Sequence, residues 1–178
     1  MRGLVAAFAC ALAIAAVSTF GDLIWAGLGL RHRVPYGLAH GTLLFAAVGL
    51  ALGSLNQRAR PGALAGGLLG FLAAGSFYLL FPIVGMAMFM VWFFLWIALG
   101  VLYDRLGQRV GFASAIGRGL GAAVVSGVAF YFVSGIWFPF NPQGLDYLVH
   151  FGAWTLAYLP GFAVLLIENR RPTQEISK

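Results

Sequence analysis

From Gly62 to Tyr103 the chain runs for 42 residues without one charged side chain. As a single helix rising about 1.5 Å per residue, that stretch would reach roughly 63 Å, twice the hydrocarbon thickness of a bilayer, about 30 Å. It must fold back on itself, and Phe81-Pro82-Ile83-Val84-Gly85 is its only cluster of helix breakers. The run therefore predicts two consecutive membrane-spanning helices joined by a short turn.

The same reasoning extends to the rest of the chain. Of its 178 residues, 61% are hydrophobic and 9% charged, against roughly 25% charged residues in a soluble domain. Uncharged runs predict an all-α, polytopic bundle of six transmembrane helices at about residues 3–28, 36–54, 62–81, 85–102, 113–136 and 146–167. Residues 1–178 form one transmembrane domain on this reading. Arg2 followed by Leu4 to Val17 resembles a secretory signal, but the apolar run continues through Ile24 and Leu30. That exceeds a signal core of about 7–15 residues, so the first helix is expected to be retained.

The charges set an expected orientation. With the N-terminus inside, Arg2, Arg58, Arg60, Arg105, Arg109, Arg118, Arg170, Arg171 and Lys178 fall on the cytoplasmic side, against Arg31 and Arg33 outside. Nine against two predicts that both termini face the cytoplasm. The net charge of +6 is spread between apolar runs rather than gathered in one stripe, which argues against a nucleic-acid partner. The Ala- and Gly-rich, arginine-biased composition points to a bacterial cytoplasmic (inner) membrane. Cys10, the single cysteine, rules out an internal disulfide, a CxxC redox pair and a cysteine zinc cluster.

Small residues recur every fourth position at Ala7, Ala11 and Ala15, at Gly66, Gly70 and Ala74, and at Ala115, Gly119, Ala123 and Gly127. Such stripes let helix backbones approach closely in lipid. The fourth helix is bulky all round, with Met88, Phe89, Met90, Trp92, Phe93, Phe94 and Trp96, and is expected to face lipid over much of its circumference.

Ionisable residues are costly at membrane depth and therefore stand out as functional candidates. Asp22, Arg31, His32, Arg33, His40, Asp146 and His150 all fall near the outer ends of the predicted helices. They admit three readings: interfacial groups satisfied by water and headgroups, ligands of a metal or of haem b through His40 and His150, or the polar mouth for a ligand or proton path. No metal site and no cofactor is predicted, with haem b the remaining possibility. Catalytic templates are missing: there is no HExxH, GxSxG or Walker lysine, and no membrane lysine for a Schiff base. No catalytic residue is therefore proposed from sequence. Pro160 beside Gly161 predicts a kink in the sixth helix that opens a lipid-facing pocket near Tyr158. The expected ligand-binding residues are Asp22, His40, His150, Tyr158 and Gly161.

From the fourth helix onward the chain resembles the insulin-induced gene (Insig) family of six-helix membrane proteins. The likeness is carried by Leu99-Gly100-Val101-Leu102-Tyr103-Asp104-Arg105, a Gly-rich fifth helix, the aromatic turn Trp137 to Phe140, Asp146-Tyr147 and a basic C-terminal end. It covers about the last 80 residues. The resemblance implies a bundle around an apolar cavity that binds a sterol or other lipid without catalysis, with Asp104 and Arg105 engaging a partner protein. The expected function is thus non-catalytic binding or regulation through a membrane lipid or other apolar ligand, in a possible homo-oligomer or with a partner membrane protein. The alternatives are a small transporter or its substrate-binding subunit and, third, a haem-binding redox protein.

Overall fold

The computed structural model describes residues 2–28, 33–107, 111–137 and 142–167. They form six helices: α1 (Arg2–Leu28), α2 (Arg33–Ser54), α3 (Ala59–Leu80), α4 (Ala87–Gly107), α5 (Phe112–Trp137) and α6 (Asp146–Leu166). All six are long and apolar enough to cross a membrane, as an integral membrane protein requires. The long uncharged run breaks where its proline predicts, with α3 ending one residue before Phe81 and α4 starting at Ala87. Pro35 and Pro61 lie in the first turns of α2 and α3, where a backbone N–H has no helical partner to lose.

Several helices outrun their predicted spans. α2 begins at Arg33 rather than 36, α3 at Ala59 rather than 62, and α4 continues through Asp104 and Arg105 to Gly107. Hydropathy marks where charge begins, whereas the helix continues beyond that point, because long side chains at a helix end reach water while their backbone stays hydrogen-bonded.

Each helix packs on its neighbours in sequence, and α6 closes on α1, so the six form a ring; α4 also reaches inward to α2 and α6. Gly3 lies against the backbone of Leu166, which puts the start of α1 and the end of α6 at the same end of the bundle. Asp22 meets α6 at His150 near the other end. The tightest seam joins α2 and α3. A Cβ on Gly66 would stand 2.1 Å from the carbonyl oxygen of Phe45, and one on Gly62 would stand 2.2 Å from that of Gly49. The α3 stripe therefore serves direct backbone contact. The α1 stripe is likewise interior, with Ala7, Ala11 and Ala15 fully buried. On α5, Gly119 meets α4 at Ile97, while Gly127 has open space beside it, so only part of that stripe is a seam.

The expected lipid exposure of α4 holds for part of the helix and not for its two indoles. Trp92, Leu95, Trp96, Leu99 and Tyr103 are buried, whereas Met88, Met90, Phe93 and Phe94 are exposed. An all-apolar surface does not distinguish lipid from the interior of a membrane protein. Here the bulk of the indoles decides the outcome, since they fill the middle of the ring. Trp92 stacks with Phe130 of α5 at 4.8 Å and approaches Tyr158 of α6 at 5.0 Å between ring centroids.

Candidate ligand-binding cavity

α1 enters the site with Ser18, Asp22 and Trp25, which follow one another at three- and four-residue steps and so share a face. Asp22 Oδ2 lies 2.7 Å from Nε2 of His150, the buried histidine one turn into α6. Trp154, one turn further, brings its indole Nε1 to 3.0 Å from the same nitrogen. A ring nitrogen either donates as N–H or accepts through its lone pair. Donation to the carboxylate is the stronger bond because it is assisted by charge, so Nε2–H bonds Asp22 and the indole N–H is the alternative partner.

α2 approaches α1 from its other flank. The Tyr36 hydroxyl donates to the carbonyl oxygen of Gly21, Tyr36 Oη is 3.4 Å from His40 Nδ1, and the Tyr36 ring lies 4.6 Å from that of Trp25. Gly21 is required here: a Cβ would come within 2.1 Å of the His40 ring. His40 and His150 thus meet adjacent residues of α1, Gly21 and Asp22, from helices that do not touch one another among the described residues. At the edge of the site the Tyr78 hydroxyl of α3 donates to the carbonyl oxygen of Arg33 at 2.9 Å.

These groups border a cavity of about 260 Å³, open to the surroundings, between α1, α2, α3, α4 and α6. Ser18, Asp22, His40, Trp154 and Tyr158 line it together with Trp92. The volume is just below the roughly 300–1,000 Å³ of drug-sized sites, which suits a small ligand or the head of a larger one. From Tyr36 to Phe45 the α2 wall covers about 14 Å of helix, roughly half a bilayer core. Trp92, almost fully buried, has an indole N–H with no hydrogen-bond partner among the described residues. A second cavity of about 300 Å³ lies between α3 and α4 and shares the walls Ala73, Val91 and Leu95 with the first.

The sequence candidates divide accordingly. Asp22, His40 and Tyr158 line one cavity, and His150 is tied to it through Asp22 and Trp154. Gly161 lies elsewhere: a Cβ on it would stand 2.4 Å from Cη2 of Trp96. The indole fills the space where a pocket was expected beside Pro160, and α6 continues through that proline to Leu166. Asp146 is exposed in the first turn of α6 and accepts the Gln143 N–H at 3.2 Å, as suits an acid at a helix N-terminus. Asp104 and Arg105 sit at the far end of α4, about 14 Å along the helix beyond Leu95. Arg31, His32 and Arg109 fall outside the described residues. No group of three or more His, Cys, Asp or Glu side chains is placed to hold a metal among the described residues.

Sequence reasoning missed the aromatic lining: Trp25, Tyr36, Phe77 and Tyr78 were not singled out as site residues. The three-residue step from Asp22 to Trp25 was the available signal. No protein-family model, curated protein or solved structure matches the chain.

Proposed function

We propose that this protein binds a lipid or other apolar ligand in its intramembrane cavity and acts by binding rather than catalysis. The cavity inside the helix ring carries the reading: its walls are mainly apolar, Asp22, His40, Tyr36 and Tyr78 gather toward one end, and Tyr158 lines it deeper. That combination orients a ligand and anchors one part of it. The setting we infer is a bacterial cytoplasmic membrane, with both termini inside and the Asp22 end outermost. The Insig-like features of α4 to α6 agree with a sterol- or lipid-sized guest and with partner contacts at Asp104 and Arg105. A docking role for the α1 stripe, which a transporter subunit would use, is not favoured because Ala7, Ala11 and Ala15 are spent on contacts inside the bundle.

The test is purification in a mild detergent, followed by mass spectrometry of the molecules that travel with the protein and by a visible spectrum. A lipid or small molecule at near-stoichiometric amount is expected, and it should fall severalfold in Ala74→Phe, which places a ring in the cavity. Equal retention by a folded Ala74→Phe variant would count against binding there. A Soret band would replace this reading with haem binding.

A further inference from the structure

The cavity's chemistry narrows its guest. Eight of the lining side chains are aromatic, among them Trp25, Tyr36, Tyr78, Trp92, Trp154 and Tyr158. Among the described residues, Asp22 is the one acidic side chain on the wall, and no Lys or Arg lines it. The Asp22 side chain keeps 29% of its surface accessible although Oδ2 is engaged by His150, so the carboxylate both anchors α6 and faces the cavity. Aromatic faces present negative potential, and several around one point hold a cation whose water has been removed. A carboxylate in a medium of low dielectric adds an attraction that no neutral guest can use.

We propose that the guest is an organic cation: an ammonium group, on a free molecule or at the head of a lipid, seated among Trp25, Tyr36 and Trp92 with Asp22 as its counter-ion. This rests on the binding role proposed above and specifies the ligand class. The head of an ethanolamine or choline lipid carries such an ammonium group. A neutral sterol would gain nothing from the charge of the Asp22 carboxylate.

The discriminating pair is benzyltrimethylammonium and neopentylbenzene, which have the same shape and differ by one charge. Binding to the full-length protein in maltoside micelles is followed by tryptophan fluorescence, because Trp25, Trp92 and Trp154 line the site. The cation is expected to bind about tenfold or more tightly than its carbon isostere, and Asp22→Asn should cut that preference severalfold. Should Asp22→Asn fail to fold, Trp25→Leu tests the aromatic half alone and should weaken the cation severalfold while leaving the isostere nearly unchanged. Equal affinities, or tighter binding of the isostere, would overturn the cationic class and leave the binding role standing. Binding of neither probe would also overturn it, and the co-purified molecules would then judge the broader role separately. Competition by added phosphatidylethanolamine identifies a lipid head as the source of the ammonium group; a cation site indifferent to that lipid identifies a free molecule.

Discussion

Gly161 of α6 faces the ring of Trp96 so closely that a Cβ there would stand 2.4 Å from Cη2. The glycine is thus the seat of the largest fully buried side chain among the described residues. Gly161→Ala is expected to destabilise the protein by about 1–3 kcal/mol through overpacking. Gly127 and Gly152 have nothing within 4 Å of an added Cβ, so alanine at either should be neutral or stabilise by up to about 1 kcal/mol. Melting temperatures of the three variants in one detergent check this, and equal shifts would refute the assignment of Gly161 as a packing seat.

The α2–α3 seam gives a second contrast. Gly66→Ala puts a methyl 2.1 Å from the Phe45 carbonyl oxygen, whereas Gly75→Ala finds only Leu38 at 3.8 Å. Forcing the two backbones apart should lower the yield of folded protein for Gly66→Ala and spare Gly75→Ala. Size-exclusion profiles after solubilisation report the difference. A normal Gly66→Ala profile would mean that the helices part easily.

Asp22 and His150 should behave as a pair. In a cycle of Asp22→Asn, His150→Gln and the double variant, thermal stability is expected to show a coupling of about 0.6–1.7 kcal/mol, the range of hydrogen bonds between membrane helices. Additivity within about 0.3 kcal/mol would show that the 2.7 Å contact contributes nothing.

Reporter fusions at Gln57, Gln108 and the C-terminus are expected to lie on the cytoplasmic side, and one at Gln143 on the opposite side, because Lys and Arg are distributed nine to two. An external signal from Gln108 would reverse the topology drawn from that count.

The helices were legible in the sequence because each condition is local: an uncharged run of sufficient length, and a proline at Pro82 to interrupt the longest one. The meeting of Asp22 with His150 followed from depth alone, since antiparallel helices of similar length bring the end of one to the start of the other. The partition of α4 was not legible, because Trp92 and Phe94 are equally apolar and only the ring's closure sends one inward and the other outward. Gly161 was misread for a related reason. A glycine after a proline marks where backbone may come close, and whether an indole or a lipid takes that place depends on α4, which lies some sixty residues earlier.

The 128 residues between Asp22 and His150 are also an interval in time. A ribosome adding about 5–20 residues per second finishes α1 roughly 6 to 26 s before the imidazole that will meet its carboxylate exists. Throughout that interval an acid sits in an unfinished bundle, and on insertion scales such a group costs about 2.5–3.5 kcal/mol at the centre of a helix and less near its end. The nascent chain is therefore least settled until its last helix arrives. A chain that stops before α6 leaves that carboxylate without the imidazole that pairs with it in the finished bundle.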